Sequence, residues 1–436
     1  MTSHERATAI RLPDFRTPPM RAFHMAWFAF FLCFFGWFGI APLMPVIRQE
    51  LNLTKEQIGN TIIASVAITV IARLLIGWLC DRFGPRRTYA ALLVLGALPV
   101  MGVGLAHDYT SFLLFRLAIG AIGASFVITQ FHTSVMFAPS IVGTANATAA
   151  GWGNLGGGVT QIVMPMLFAV FIGAGAGAWW SWRLAMVIPG VAMLLTGIAY
   201  YYLTQDTPSG EWNRGERRPN ASAAFREACG DGRVWALAAL YAACFGMELT
   251  IDNIAALYFV DTFHLSMGAA GIVAGTFGMM NLFARALGGI VSDWAHRRWG
   301  LNGRTALLAV TIALEGVALV CFALAGWLPL AIGCMLVTGL FIKMSNGATY
   351  AVVPFVNKRA LGAVAGIVGA GGNVGAVLAG FLFKTNSLSY SQALLILGVV
   401  VTASATLAVA VRFTAEAREQ TRMPLGEAVH SAAGGD

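Results

Sequence analysis

Long apolar runs, separated by short polar segments, recur along the whole chain. Each run has about twenty residues or more, the length that an α-helix needs to cross about 30 Å of hydrocarbon. Their approximate limits are 23–47, 58–79, 88–106, 111–138, 142–172, 184–204, 234–260, 268–291, 305–324, 327–353, 361–383 and 388–411. The pattern predicts an all-α membrane protein with about twelve transmembrane helices.

The composition supports a membrane location. Of 436 residues, 58% are hydrophobic and 11% are charged, and the mean hydropathy is +0.72. A soluble globular chain has about 25% charged residues, so this chain has too little charge to cover a surface that faces water. The 50 glycines also suit lipid, where small residues let helices pack backbone to backbone.

The N-terminus resembles a secretory signal peptide only in part. Its arginines precede the first apolar run and are Arg6, Arg11, Arg16 and Arg21. The run from Phe23 to about Ile47 exceeds the 7–15 residues of a signal-peptide core, and no small-residue cleavage site follows. We expect it to be retained as the first membrane span, after a cytoplasmic tail over residues 1–22.

Basic residues are distributed unequally between alternate connections. One set comprises the N-terminal tail, Arg82/Arg86/Arg87, Arg214/Arg217/Arg218/Arg226/Arg233, Arg297/Arg298/Arg304, Lys358/Arg359 and Arg412/Arg418/Arg422. The other set holds only Arg48, Lys55, Arg183 and Lys384. By the positive-inside rule the first set is cytoplasmic. We therefore expect both termini, including a tail over residues 413–436, to lie inside a bacterial cell, with the chain in the inner membrane.

An internal repeat divides the chain at its longest polar stretch, residues 205–233. Arg73, Gly77 and Asp81 recur at one offset as Arg285, Gly289 and Asp293, and each set falls in the second span of its half. In the two fifth spans, the stretch Gly153-Asn154-Leu155-Gly156 matches Gly372-Asn373-Val374-Gly375. We expect six-helix bundles over 23–204 and 234–412, joined by a cytoplasmic linker, with a substrate site between them.

The segment after the second span resembles the loop signature of the major facilitator superfamily. Its residues are Gly77, Asp81, Arg82, Gly84, Arg86 and Arg87, and a weaker copy from Gly289 to Arg298 contains Asp293. We expect a cytoplasmic hinge in which a carboxylate and guanidinium groups pair across helix ends and separate on rocking. The alternative is a charge cluster that only sets the topology.

Arg73 and Arg285 lie near the middle of their spans, where an unpaired cation costs about 2.5–3.5 kcal/mol. At repeat-equivalent positions they would face each other across the pseudo-symmetry axis. Their planar guanidinium groups suit a small oxyanion that accepts hydrogen bonds in pairs. The alternative is that each arginine pairs with a nearby acid for structural reasons.

Two glycine-rich stretches, 150–158 and 369–375, lie deep in apolar spans. They lack the lysine of a phosphate-binding loop, so nucleotide binding is not indicated. Close helix packing alone would explain the glycines. The symmetric asparagines, Asn154 and Asn373, favour a function, because an amide can donate a hydrogen bond to an anion.

These paired stretches resemble the two nitrate-signature motifs of the nitrate/nitrite porter family, which belongs to the major facilitator superfamily. The resemblance extends through 123–126, 245–253 and 347–355, and so covers nearly the whole chain. It implies that Arg73 and Arg285 bind the substrate, that Gly153, Asn154, Gly372 and Asn373 belong to the signatures, and that Phe126, Tyr241 and Phe245 are aromatic residues that sandwich or gate the anion.

Helical spacing supports part of this assignment independently. Tyr241, Phe245, Glu248 and Asp252 follow i, i+4, i+7 and i+11, which places them on one helix face. Phe126, Gln130 and Thr133 share a face in the same way, whereas His132 lies off that face, and we interpret it as a packing or helix-contact residue.

Glu248 and Asp252 bear on the coupling mechanism. Exchangers of the resembled family largely lack acids in this helix, whereas its proton-coupled branch tends to have one. An unpaired carboxyl group at membrane depth has a raised pKa and can load and release a proton. The alternative is a static ion pair, with Lys343 or a site arginine. For Glu315 and Lys343 we expect pairing between helices.

Three functions are consistent with the sequence: proton-coupled nitrate import, nitrate/nitrite exchange without protons, and, in a different class, a membrane sensor of nitrate. An enzyme is disfavoured, because no nucleophile–base pair or cofactor loop is present. The six cysteines have no metal-ligand spacing, so we expect no metal and no cofactor. The basic residues lie at the ends of apolar runs rather than along one face, which disfavours nucleic acid as a partner. We expect a monomer in the lipid bilayer, with nitrate or nitrite and a proton as its small-molecule partners.

Overall fold

The computed structural model describes residues 6–138, 141–211, 221–357 and 361–413. Regular structure in these ranges is helical, with two isolated β-bridges. The helices are α1 (Pro18–Phe38), α2 (Met44–Glu50), α3 (Lys55–Phe83), α4 (Pro85–Gly102), α5 (Tyr109–Gly120), α6 (Ser125–Met136), α7 (Val142–Gly173), α8 (Gly177–Leu203), α9 (Ala221–Gly230), α10 (Gly232–Phe263), α11 (Met267–Met279), α12 (Ala284–Trp299), α13 (Leu301–Leu324), α14 (Leu328–Val352), α15 (Leu361–Lys384) and α16 (Tyr390–Ser404).

Within the described ranges, twelve segments are long and apolar enough to cross a membrane. Three of them consist of two helices joined by a short 3₁₀ turn: α1 with α2, α5 with α6, and α11 with α12. The predicted all-α fold with twelve membrane spans is therefore confirmed. The first span begins at Pro18, inside the predicted tail, because proline suits the first turn of a helix.

The sixth span also begins earlier than predicted, at Gly177 instead of residue 184. The added turns contain Trp179 and Trp180, which are 50% and 55% exposed. Tryptophan is enriched where a membrane meets water, and its moderate hydropathy hides such a helix end from a search for purely apolar runs.

Large apolar side chains cover much of the molecular surface. Ile71, Leu74 and Leu105 are 65%, 68% and 76% exposed, and many others are similar. Such a surface would aggregate in water, whereas lipid tails solvate it, and helices satisfy their own backbone hydrogen bonds there. The chain is a multi-pass membrane protein.

The chain divides into two compact units. The first comprises Met1–Arg217, Glu248–Phe283 and Ala376–Ala393, and the second comprises Arg218–Met247, Ala284–Gly375 and Leu394–Asp436. All of α11 and parts of α10, α15 and α16 thus belong to the same unit as the first six spans. The division into six-helix bundles at 205–233 rests on the sequence repeat and stays a prediction.

Glycines allow very close helix contacts within the first unit. A Cβ atom on Gly158 of α7 would lie 2.5 Å from the carbonyl carbon of Gly278 in α11. One on Gly275 would lie 2.4 Å from a side-chain carbon of Ile162. No larger residue fits at these points, as the glycine content of the apolar runs predicts.

The predicted tails and linker contain structure of their own. Ala7 is buried, and its backbone pairs with Met136 and Ala138 at the end of α6. The predicted linker contains α9, while its residues 212–220 lie outside the described ranges, as do residues 414–436 of the predicted C-terminal tail.

Candidate functional site

In the first unit, Arg73 of α3 lies against an aromatic ring. Its guanidinium carbon is 5.5 Å from the centroid of Phe126 in α6. Phe126 in turn contacts Phe30 of α1, with ring centroids 5.8 Å apart. A Cβ on Gly153 of α7 would lie 1.8 Å from Cδ1 of Phe30. The glycine of the first signature therefore leaves the space that Phe30 needs to support Phe126.

In the second unit, Arg285 of α12 is 8% exposed and donates a 3.1 Å hydrogen bond from Nη2 to the Tyr241 hydroxyl. The ring of Tyr241 stacks on Phe245, with centroids 5.1 Å apart and an angle of 6°. A Cβ on Gly372 would lie 2.6 Å from Cδ1 of Phe245 and 2.9 Å from Cδ1 of Tyr241. The glycine of the second signature thus makes room for the aromatic pair beside this arginine.

Both units build a similar local arrangement around repeat-equivalent arginines, although the aromatic partner Phe126 lies in the fourth span and Tyr241 in the seventh. An arginine contacts an aromatic group, and the position of that group depends on a signature glycine. A guanidinium partly removed from water binds a small anion more strongly than an exposed one, and its planar donors fix the orientation of that anion. Arg73 and Arg285 belong to different compact units. That the two arginines face each other therefore stays a prediction.

The signature asparagines are buried beside these glycines. Asn154 is 2% exposed and Asn373 is 0% exposed. Within the described ranges, neither the nitrogen nor the oxygen of either amide has a hydrogen-bond partner. Buried polar groups in native proteins nearly always have a partner. Close packing accounts for the glycines. It does not account for two buried amides that lack a hydrogen-bond partner within the described ranges.

The four residues of α10 that the spacing places on one face are buried, as is every residue of this helix from Cys244 to Phe259. Tyr241, Phe245, Glu248 and Asp252 are 2%, 4%, 2% and 4% exposed. All four therefore turn away from lipid. Buried acids in a membrane helix are costly, which makes them candidates for a functional role.

The two acids of α10 have polar neighbours from other helices. Asn281 donates a 2.7 Å hydrogen bond from Nδ2 to Oε1 of Glu248. Gln161 of α7 donates a 2.7 Å bond from Nε2 to the backbone oxygen of Asp252. Sequence reasoning missed both residues, although each is a polar residue inside an apolar run.

Asn281 lies in the 3₁₀ turn between α11 and α12, four residues before Arg285. The same break in the eighth span therefore carries a partner of Glu248 and leads into the helix of Arg285. No periodicity predicts a break at this point.

Other residues of the fourth span contact neighbouring helices. Gln130 donates from Nε2 to the backbone oxygen of Asn146 at 3.1 Å, and Thr133 is buried. His132 lies 2.5 Å through Nδ1 from the Tyr200 hydroxyl and 2.8 Å through Nε2 from the Gln205 oxygen. The interpretation of His132 as a helix-contact residue is confirmed.

Glu315 and Lys343 are both fully buried. They lie on α13 and α14, which pack against each other. The predicted pairing of the two stays a prediction.

The predicted hinge segment forms the tight connection between α3 and α4. Gly84 has a φ of +82°, which favours glycine. The backbone nitrogen of Arg86 donates to Asp206 at 2.8 Å, and its Nη2 donates to Glu211 at 3.0 Å. Arg87 lies 3.7 Å from Glu211. The arginines therefore pair across helix ends with acids that follow the sixth span, which the sequence did not single out.

The other residues of the predicted hinge make contacts of different kinds. Arg82 stacks over Trp78, with its guanidinium carbon 5.0 Å from the ring centroid. In the repeat copy, Asp293 accepts a 2.6 Å hydrogen bond from Arg304. A Cβ on Gly77 would meet no atom within 4 Å. The side chain of Asp81 lies outside the described part, so its pairing stays a prediction.

Comparison with known proteins identifies the family. The Major Facilitator Superfamily model matches residues 26–314. The chain is 43% identical over 404 residues to "High affinity nitrate transporter 2.5" of Arabidopsis thaliana, covering 91% of this chain and 80% of that protein. It belongs to the nitrate/nitrite porter family of the major facilitator superfamily. Members of this superfamily are transporters, so the chain is a transporter and not an enzyme.

More distant proteins extend the comparison. "Nitrate/nitrite transporter NrtP" of Nostoc punctiforme is 30% identical over 433 residues, covering 82% of this chain and 85% of that protein. A crystal structure of "A Bacterial Homolog to Human Lysosomal Transporter, Spinster" superposes with a TM-score of 0.72 at 17% identity, covering 94% of this chain and 99% of the other. That structural likeness shows the shared fold alone.

Alanine at the signature glycines is expected to reduce transport by about tenfold. A Cβ at Gly153 or Gly372 displaces the aromatic rings beside Arg73 or Arg285, and overpacking of this kind costs about 1–3 kcal/mol. The measurement is initial nitrate uptake by Gly153→Ala and Gly372→Ala in proteoliposomes, normalised to folded protein.

Each variant has a matched control in its own helix. A Cβ on Gly173 in α7 or on Gly366 in α15 would meet no atom within 4 Å. Gly173→Ala and Gly366→Ala should therefore transport like the wild type. Equal losses in the signature and control variants would show that the effect is general to glycine in these helices.

Proposed function

We propose that this protein imports nitrate across the bacterial inner membrane by alternating access, with uptake coupled to protons. Relatives named as high-affinity nitrate transporters match the chain over most of its length. Substrate, direction and coupling are inferences from these relatives and from the site.

The observation that carries the proposal is the repeated arrangement of arginine, aromatic group, glycine and asparagine. Nitrate is a planar monoanion whose oxygens accept hydrogen bonds in pairs, which matches the planar donors of guanidinium groups. Asn154 and Asn373 each bring a buried amide whose nitrogen can donate to the same kind of oxygen. Aromatic rings beside the arginines suit the flat face of the anion.

Proton coupling rests on Glu248 and Asp252, both buried in a membrane helix. The bond from Asn281 to Glu248 survives protonation of the carboxyl group, because a carboxylic acid retains an oxygen that accepts. Glu248 can therefore gain or lose a proton without losing this contact. Asp252, one helical turn further on, is the second candidate.

Exchange of nitrate for nitrite is the alternative, since a relative named as a nitrate/nitrite transporter also matches the chain. Exchange requires no proton carrier, and Glu248 and Asp252 would then form static polar contacts. Both functions use the same anion site, so they differ in what drives transport.

Purified wild-type protein in proteoliposomes tests the proposal. Nitrate uptake should accelerate when the outside is made acidic, and it should need no internal anion. Uptake that ignores the pH gradient but accelerates with internal nitrite would establish exchange. Binding of nitrate without any uptake would identify a sensor and reject transport.

A further inference from the structure

The ends of the spans on the face opposite the termini carry an ion pair between distant parts of the chain. Nη1 and Nη2 of Arg48, at the end of the first span, donate to Asp261 at 2.6 and 2.5 Å. Asp261 lies near the end of α10, and both residues belong to the first compact unit. The two parallel bonds join the first span to the seventh.

Two lysines on the same face make comparable links. Lys55, the first residue of α3, donates from Nζ to the backbone oxygens of Thr385 and Leu388, beyond the end of α15. Lys384, at the end of α15, donates from Nζ to Asn60 of α3 at 3.2 Å. The second and eleventh spans are thereby joined at this face.

Backbone contact at this face is also unusually close. A Cβ on Gly59 of α3 would lie 2.2 Å from Cβ of Lys384. One on Gly380 would lie 2.6 Å from a side-chain carbon of Ile63. The two helices are in direct contact here, so the lysine links close a tightly packed seam.

Arg183 provides a contrast on the same face. It pairs with Glu50 at 2.5 Å and donates to the oxygens of Gly104 and Ala106. These partners lie at the ends of the first and third spans, and Arg183 itself lies in the sixth. Of the four basic residues that this face carries in the sequence, three therefore join spans from opposite sides of the 205–233 connection, and Arg183 does not.

We propose that Arg48, Lys55 and Lys384 form a gate that becomes an anion-attracting vestibule when it opens. In the closed state each cation is neutralised or hydrogen-bonded by a partner across the seam. When the seam separates, the same three cations are exposed around the opening. This inference rests on the proposed function, because it requires a state that opens toward this face.

Charge explains why the same three residues can both close the seam and attract the anion once the seam is open. The closed gate presents the ion pair of Arg48 with Asp261, whose charges cancel for an approaching anion. Opening moves Asp261 away from Arg48, and the exposed rim then carries Arg48, Lys55 and Lys384 against the two carboxylates of Asp261 and Glu56, a positive balance. A charged opening with low-dielectric walls raises the local concentration and arrival rate of the opposite ion by about 10–10³-fold. Nitrate is thus attracted more strongly to the open state, in which all three cations face the opening.

Substitutions at Arg48 and at Asp261 test the gate and the vestibule independently. Arg48→Gln and Asp261→Asn both break the closing contact, but only Arg48→Gln removes a cation from the opened rim. The double exchange Arg48→Asp with Asp261→Arg restores the contact. Glu50→Gln is the matched control, because it weakens an ion pair on the same face that does not cross the seam.

Opening is read from the distance between spin labels at His107→Cys and Ser387→Cys, both exposed on this face. Cys229, Cys321 and Cys334, the cysteines that are not buried, are replaced by serine. Both single variants should shift the distances toward longer values, while the double exchange and Glu50→Gln should match the parent. Unchanged distances in both single variants would overturn the gate.

The vestibule is read from nitrate uptake into right-side-out vesicles. At low ionic strength Arg48→Gln should raise KM about tenfold above that of Asp261→Asn. The difference should shrink as salt shortens the Debye length to about 10 Å at 0.1 M. Equal KM values with equal salt dependence would overturn the vestibule. If the wild-type protein shows no nitrate uptake, the proposed function is wrong. The spin-label distances would still test whether the Arg48–Asp261 contact closes the gate.

Discussion

Replacing Arg73 or Arg285 by lysine is expected to lower nitrate uptake by roughly 10- to 100-fold while leaving membrane expression intact. Lysine keeps the positive charge but loses the planar pair of donors. Each lost charge-assisted hydrogen bond is worth about 1.5–3 kcal/mol, and each factor of ten corresponds to about 1.4 kcal/mol. The Arg285→Lys variant would also lose the geometry with which Nη2 of Arg285 meets the Tyr241 hydroxyl.

The measurement is uptake of labelled nitrate by the two single variants and by Arg226→Lys as a control. Arg226 lies on α9 and is exposed, so its exchange for lysine should change nothing. Thermal stability in detergent identifies any variant that fails to fold. Near-normal uptake by a folded Arg73→Lys or Arg285→Lys variant would count decisively against the site assignment.

Glu248→Gln is expected to abolish proton-driven accumulation of nitrate while exchange of internal for external nitrate continues. Glutamine mimics the protonated acid and still offers an oxygen to Nδ2 of Asn281, so the local structure should persist. A permanently loaded carrier cannot release a proton, but exchange needs no release. Accumulation under an imposed pH gradient and counterflow without a gradient are compared in the same liposomes.

A static ion pair at Glu248 predicts a different result. Removing one charge would leave its partner buried and unpaired, which costs about 3–5 kcal/mol. Stability, accumulation and exchange would then fall together. Because Asp252 could carry the proton instead, Asp252→Asn and the double variant belong to the same series. Accumulation that persists in the double variant would exclude both acids as the carrier.

The sequence by itself determined the membrane fold. Apolar runs of about twenty residues leave a chain no stable alternative to helices in lipid, because each backbone polar group must be satisfied within its own segment. For the same reason the twelve spans could be located. Their limits differed most where a helix end is less apolar: at Pro18, at Trp179, and at the end of the eighth span, which continues through His296, Arg297 and Arg298 to Trp299 instead of ending at residue 291.

The sequence also singled out the arginines and the signature glycines as candidate site residues. A cation within an apolar run is too costly to be incidental, and its recurrence at one offset marked Arg73 and Arg285 together. Helical periodicity placed Glu248 and Asp252 on one face of α10, because i+4 and i+7 neighbours share a face. These inferences need only local geometry, which the order of residues carries.

Only the tertiary structure decided which side chains meet across helices. Phe30 beside Gly153, Asn281 beside Glu248 and Asp261 beside Arg48 join residues that are far apart in the chain. Periodicity states which face a residue occupies, but not which helix lies opposite or how closely it approaches. Those contacts depend on the packing of whole helices, where one missing Cβ determines whether two backbones can touch.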